Sequence, residues 1–491
     1  MCSVIPGSSA LAVPWLVWKV DVKHWSPAQV FWSLFTFALL QRLLLVLVYQ
    51  PAVFSDTKSY RRLAQTILDG WQAYDGTRTP GYPAFLALVG PDQVAWLVQL
   101  AMGVAITLLL YYLGWRLSGR AWFGGLVGLL HTLNLGQLFF ESNLLTETPT
   151  TFWLLASLAG LHWGMERAKA ESSPDRLAWL AGGIGLASAF SLLTRPLFVF
   201  MPPWQLLCLA LLWQPGQGPA SPGTPTLFRW LVEGTRRNWL PLAALALPVA
   251  VLVGGWVGFI YTRYGDLSLT VMTGYHLMQH TGVFFEFVPD EEAGIRDTYL
   301  RYREAQIART GTQANTIWEA IPELQQVSGL NFYDLSGKMA EISLDLIREH
   351  PDLYLRNALK GWVLFWRAPV YWSPDLLKLG AAKPFARTMV IGLIWLERGL
   401  LVLANLAFLA TSLLGLASRR LRQVWQIPAL LWIMAGTIWL TSVVQTLLDH
   451  GDNPRFLIPL QSWVVFWVAW LVWQSWQAWQ SKGTRLERVG P

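Results

Sequence analysis

The sequence predicts an all-α polytopic membrane protein, a bundle of about ten transmembrane helices, and three observations carry that prediction. Of the 491 residues, 54% are hydrophobic and 14% charged, with a mean hydropathy of +0.37, too apolar for a soluble globular protein of this length. The apolar residues fall in blocks of about 17 to 25, the length that crosses a hydrocarbon core of roughly 30 Å as a helix. Tryptophan is unusually frequent, at 30 residues, and Trp25, Trp96, Trp115, Trp239 and Trp473 stand at block ends, where indole prefers the headgroup level.

The blocks place spans near 28–50, 93–115, 121–140, 147–162, 177–193, 196–213, 239–262, 386–416, 427–447 and 455–474. Basic residues collect in alternate connections: Lys19 and Lys23, Arg116 and Arg120, Arg167 with Lys169 and Arg176, Arg229 with Arg236 and Arg237, Arg419 with Arg420 and Arg422, and Lys482 with Arg485 and Arg488. The short loops between them hold little beyond Arg195 and Arg455. This positive-inside pattern makes both termini cytoplasmic and the span count even, and it suits a multi-pass protein of the plasma membrane. The net charge of +7 is spread through short loops, which excludes a nucleic-acid partner. No cleavage pattern precedes the first span, so it reads as a retained anchor, and Cys2 and Cys208 form no disulfide framework. Residues 353–372 are apolar enough to tempt a further span. Counting it would move Arg419, Arg420 and Arg422 to the outside, so it reads as an outer interfacial or re-entrant helix.

Three regions follow: a transmembrane module over 1–262, an outer helical region over 263–385, and C-terminal transmembrane helices over 386–491. In the first outer loop, 51–92, Tyr60, Leu63, Ala64, Ile67, Leu68 and Trp71 recur along one helical face opposite Lys58, Arg61 and Arg62, which predicts a helix lying on the membrane surface. Pro80-Gly81-Tyr82-Pro83 then opens a second short helix ending at Gly90-Pro91. The outer region has soluble composition and two charged helical runs, and 214–238, rich in Pro and Gly, reads as a flexible linker.

Candidate chemistry lies at the loop ends. Asp56 follows the first span and reads either as a base or ion ligand in a cleft or as the cap of the surface helix. Arg78, two residues before the Pro80-Gly81 turn, suits a planar anion, or is an interfacial loop residue. Glu141 and Glu147 bracket the short third-to-fourth turn, where an acid also favours a helix start. Arg195, before Pro196, and Arg455, in Asn453-Pro454-Arg455-Phe456, are functional candidates at membrane depth or snorkel to headgroups. Asp452 with Asp449 and His450 forms polar surroundings for Arg455, and Arg42, midway along the first span, faces the bundle interior. His276 and His280 stand four apart without a third ligand at metal spacing, so no cofactor is predicted and a divalent metal is not indicated. On the topology read from loop charge, Asp56, Arg78, Glu141, Glu147, Arg195 and Arg455 emerge on one side, as an outer cleft requires.

The order of Ser55-Asp56, Arg78-Thr79-Pro80-Gly81-Tyr82-Pro83, Thr146-Glu147, Thr194-Arg195-Pro196 and Pro454-Arg455-Phe456-Leu457-Ile458-Pro459 resembles the GT-C glycosyltransferases, closest to glycosyltransferase family 39 with its protein O-mannosyltransferases and lipid A aminoarabinose transferases. The resemblance covers the first seven spans and, by its Arg-Phe motif, the last. It implies sugar transfer from a polyprenyl-phosphate donor on the non-cytoplasmic face to a glycan, lipid or protein acceptor. It also implies Asp56 as the catalytic acid residue of the first loop and Glu147 as the second acidic position. Independently of the resemblance, displacing a lipid phosphate from an anomeric carbon needs a base for an incoming hydroxyl and positive charge for the departing phosphate, which suits Asp56 for the first and Arg78, Arg195 or Arg455 for the second, with Tyr82, Glu141 and Asp452 expected in the cleft. Where family members often carry an acid pair in the first loop, this chain has Asp56 alone, and it has no Trp-Trp-Asp motif. The other function class is a transporter or flippase for a lipid-linked or anionic substrate. Internal repeats and interrupted helices would mark it, and the sequence shows neither.

Overall fold

The computed structural model describes residues 25–170, 174–213, 227–368, 370–448 and 454–487. Asp452, with Asp449 and His450, lies outside the described residues. Those described form helices and no strand. The amino-terminal half contains α1 (Pro27–Val48), α2 (Ser55–Leu68), α3 (Gly81–Val89), α4 (Asp92–Ser118), α5 (Ala121–Thr132), α6 (Leu135–Ser142), α7 (Glu147–Ala170), α8 (Pro174–Thr194), α9 (Met201–Leu212), α10 (Leu227–Arg237) and α11 (Trp239–Tyr264). The carboxyl half contains α12 (Thr273–Thr281), α13 (Ala293–Thr310), α14 (Thr316–Ser328), α15 (Phe332–Glu349), α16 (Pro351–Phe365), α17 (Lys383–Ala417), α18 (Arg419–Trp425), α19 (Ala429–Leu448) and α20 (Ile458–Glu487).

Among the described residues, seven helices are long and apolar enough to cross a membrane: α1, α4, α8, α11, α17, α19 and α20; α5 and α6, bent by 57°, make an eighth if they are one broken span. All ten expected spans fall on helices, but two do not qualify by length and composition. The Pro196–Leu212 segment is short. Helix α7 carries Thr148, Thr150, Thr151, Ser157 and His162, all buried against neighbouring helices. A helix wrapped by protein can hold such groups because they need not meet lipid.

One core runs through the bundle from Leu110 and Phe123 past Leu158 and Phe198 to Trp463 and Trp467 of α20. The tryptophans are therefore not all interfacial anchors. Trp96 and Trp473, expected at headgroup level, are buried, and the Trp96 indole donates to Ser142 Oγ at 3.1 Å. Trp239 keeps its expected exposure.

Helices α12 to α15 enclose a second core around Tyr275, Met278, Phe285, Leu324 and Met339. The remainder of 263–385 is not separate from the bundle. At its start Val271 N donates to Gly76 O at 3.1 Å and Tyr264 OH to Asp75 O at 3.0 Å, which ties it to the loop after α2. At its end Ser373 N donates to Tyr49 OH at 2.8 Å, and Tyr371 and Trp372 pack on Phe140 and Phe139. The ambiguous 353–372 stretch is α16 and the turn after it. Its 15 residues measure about 22 Å at 1.5 Å each, short of a roughly 30 Å core. Leu355, Leu359 and Val363 form an exposed apolar stripe along it, while Trp362 Nε1 donates to Ser442 Oγ of α19 at 3.3 Å.

Candidate active site

The chain entering α2 and the chain entering α7 are held side by side. Ala52 N donates to Ser142 O at 2.8 Å and Leu144 N to Ala52 O at 3.0 Å, an isolated parallel bridge between two otherwise unpaired segments. Thr57 Oγ1 adds a bond to Leu144 O at 2.9 Å. Asp56 and Glu147 each follow this crossing within a few residues, so they start their helices at the same place.

The cap reading of Asp56 does not hold. The residue preceding α2 is Phe54, and its N–H is satisfied by Thr57 Oγ1 at 3.0 Å. The Asp56 carboxylate instead receives Arg78 Nη2 on Oδ1 at 2.8 Å and Arg455 Nη2 on Oδ2 at 2.9 Å. Burial works against its charge, but Arg78, Arg455 and Arg195 outweigh that and hold the carboxyl below the usual aspartate range. Glu147, 1% exposed, lies with Oε1 3.4 Å from Arg195 Nη2 and 3.6 Å from Arg455 Nε. Arg195, 7% exposed, does not snorkel; its guanidinium lies over the Phe456 ring at 4.6 Å.

The structure thus links Arg78, Asp56, Arg455, Glu147 and Arg195 in one chain of ion pairs drawn from five distant parts of the sequence. Three guanidiniums face two carboxylates. Both Glu147 oxygens, Arg195 Nη1 and Arg455 Nε are buried without a hydrogen-bond partner among the described residues. Buried charged groups left in this state are costly, and an anion supplying acceptor oxygens would satisfy the donors.

Close backbone approach sets the arginine positions. A Cβ on Gly81 would lie 2.5 Å from Leu193 C and Thr194 N, so only glycine lets the start of α3 rest on the end of α8. That contact puts Arg78 and Arg195 on one cleft. The Arg78 side chain lies over the Tyr60 ring at 5.4 Å, and Tyr74 OH fixes the Arg78 carbonyl at 3.1 Å.

Two expected cleft residues serve packing. Glu141 does not join Glu147: it is 2% exposed and pairs with Arg42, which donates Nε to Oε2 at 3.0 Å and Nη2 to Oε1 at 2.6 Å. Arg42 also bonds Thr132 Oγ1, and Gly103 leaves the room the Glu141 carboxylate occupies. Tyr82 is fully buried, edge-on to Tyr60 at 5.0 Å, with its hydroxyl donating to Gln99 Oε1 at 2.8 Å; Gln99 in turn bonds the carbonyls of Glu141 and Asn143.

On the surface helix, Tyr60, Leu63 and Ala64 are buried as expected, but α2 ends at Leu68, which is exposed. Arg61, expected on the outer face, turns inward to Asp92 Oδ1 at 2.6 Å and to the Leu86 carbonyl at 3.2 Å.

Tyr60, Gly81 and Phe456 were not singled out by sequence reasoning as site residues. Tyr60 and Gly81 read as packing and turn, and nothing local distinguishes them. His280 is buried and meets Asn357 Nδ2 at 3.3 Å through Nδ1, and no group of three or more His, Cys, Asp or Glu side chains among the described residues is placed to share a metal ion. Comparison with known proteins gives no match to a family model, a curated protein or a solved structure.

Proposed function

We propose that this chain is a membrane glycosyltransferase of the GT-C kind, resembling family 39, that moves a sugar from a polyprenyl-phosphate donor to a glycan, lipid or protein acceptor. The observation that carries the reading is Asp56 held between Arg78 and Arg455, with Arg195 beside them on Glu147. Displacing a lipid phosphate from an anomeric carbon requires positive charge for the leaving group and a base for an incoming hydroxyl. The arginines supply the first and Asp56 the second. The acceptor oxygen bonds to the anomeric carbon as the carbon–oxygen bond to phosphate breaks. The hydroxyl proton passes to Asp56, and the phosphate departs with the bonding pair onto the guanidiniums.

A carboxylate paired with two arginines is a weak base. On this reading the donor phosphate draws Arg78 and Arg455 toward itself, and Asp56 becomes basic only when a donor is present. If the acceptor is itself a phosphate, no proton need be removed, and Asp56 steadies the sugar cation. The reading takes ten spans, with α7 and Pro196–Leu212 crossing within the bundle. It puts both termini in the cytoplasm and the site on the outer side of the plasma membrane, as the loop charges suggest.

The bend between α5 and α6 favours one alternative, a flippase, since interrupted helices line transporter sites. Here, however, Glu397 of α17 already accepts from Leu135 N at 2.8 Å and Gly136 N at 3.2 Å, so the break is satisfied internally. The dividing experiment offers a panel of polyprenyl-phosphate sugars to purified Asp56→Asn protein. Asparagine keeps the shape but takes no proton, so transfer should fall about 10²- to 10⁴-fold with donor binding retained. Full activity would remove Asp56 from the chemistry, and donor movement across vesicles without a new glycosidic bond would establish the flippase.

A further inference from the structure

Helix α6 has eight residues, with Gly136 to Ser142 all buried, and it starts inside the bundle at the 57° bend after α5. A helix that starts there has first-turn N–H groups that lipid cannot satisfy. Side chains meet all three of them. Asn134, the residue before α6, accepts from Gln137 N at 2.8 Å, and the Glu397 carboxylate of α17 takes Leu135 N on Oε2 at 2.8 Å and Gly136 N on Oε1 at 3.2 Å. About 16 Å of helix, at roughly 1.5 Å per residue, separates Glu397 from Ala386, so it stands near the middle of a roughly 30 Å core. A carboxylate at that depth is costly and is a functional candidate by default.

Both sides of the Asp56 cluster lean on α6. At its end Ser142 O accepts from Ala52 N at 2.8 Å, the crossing that sets the starts of α2 and α7 and with them Asp56 and Glu147. From its first turn Gln137 Nε2 donates to Ile458 O at 2.7 Å, where α20 follows the turn that carries Arg455. Ala386, Val390 and Ile394, spaced along the Glu397 side of α17, pack against the core that contains Phe139 and Phe140 of α6. The ion-pair cluster therefore has one short buried helix between its acids and Arg455, and Glu397 holds the start of that helix.

We propose that Glu397 is a positioning residue for the Asp56 cluster. By fixing the start of α6 it sets where the Ala52 crossing and Ile458 stand relative to each other, and so how Asp56 and Glu147 are placed against the Arg455 guanidinium. It touches none of these groups itself. Its effect on catalysis rests on the transferase reading; its effect on the geometry does not.

Hydrogen exchange of the purified full chain, followed by mass spectrometry, separates this role from that of a local cap. Glu397→Gln offers one acceptor oxygen to two donors, so Leu135 and Gly136 lose protection in either case. Positioning requires more: exchange should also rise, on the order of tenfold, at Ala52 and Leu144 across the crossing and at the start of α20, with α12 to α15 unchanged. A rise confined to Leu135 and Gly136, or no rise at all, would overturn the proposal. Glu397→Asp, which keeps the charge but is shorter by one methylene, gives the same comparison if the glutamine variant does not fold. Sugar transfer counted per donor-binding site should fall on the order of tenfold in Glu397→Gln, since a misplacement of about 1 Å far from the chemistry can cost about 10²-fold. Counting per site removes the loss that lower stability alone would cause, and transfer equal to the wild type would overturn the proposal. A wild type that transfers no sugar would instead remove the transferase reading, and the exchange pattern would then decide the role of Glu397 by itself.

Discussion

Asp56 and Arg455, 399 residues apart, meet at 2.9 Å between Oδ2 and Nη2, so the loop after the first helix and the turn before the last close on each other through one ion pair. Arg455 also reaches toward Glu147, which makes it the hinge of the cluster. Arg455→Ala should weaken donor binding about 10- to 100-fold, the scale of a hydrogen bond to a charged group. Lysine keeps the charge without the two-pronged geometry and should fall between wild type and alanine. Isothermal titration with a polyprenyl phosphate measures this, and equal affinity in all three proteins would remove Arg455 from the phosphate site.

The depressed acidity of Asp56 has a pH consequence. Because its folded value lies below the unfolded one of about 3.9, the stabilisation from its ion pairs is complete above that value and is lost as pH falls through the folded one. Removing one guanidinium raises the folded value. The acid limb of stability, followed by thermal unfolding between about pH 2 and 5, should therefore become shallower and reach its lower end at higher pH in Arg78→Ala. An unmoved limb would mean that Arg78 does not hold the Asp56 charge.

Arg42 and Glu141 make a buried pair away from the proposed chemistry, 3% and 2% exposed. Glu141→Leu alone leaves a guanidinium uncompensated and should cost about 3 to 5 kcal/mol, whereas the double change to Arg42→Met, Glu141→Leu should recover most of it. Thermal unfolding of the three variants checks this. If the single change proves harmless, the pair does not hold α1 to α6.

Gly81→Ala tests whether the α3–α8 contact positions the arginines. The added Cβ at 2.5 Å from backbone cannot be accommodated by a side-chain rotation. The helices should separate at a cost of about 1 to 3 kcal/mol, the usual penalty of overpacking. Donor affinity should drop although no charged group is altered. Normal stability together with normal donor affinity would show that the junction is looser than it looks.

The amino-acid sequence by itself determined the helical membrane architecture, because a helix in lipid must satisfy its own backbone and be apolar over a fixed length. It marked Asp56, Arg78, Glu147, Arg195 and Arg455, because charged residues at the ends of apolar blocks stand out from their surroundings. It did not separate Glu141 from Glu147. Both acids lie in one short turn, and only the direction in which each helix presents its side chain sends one to Arg42 and the other to Arg195 and Arg455. Nor did it distinguish a tryptophan at headgroup level from one such as Trp96, whose indole is enclosed and bonded to Ser142, since both stand at the end of an apolar run. The fate of Asp56 was likewise a tertiary matter: whether it caps a helix or binds arginines depends on partners 22 and 399 residues away, which no local pattern encodes.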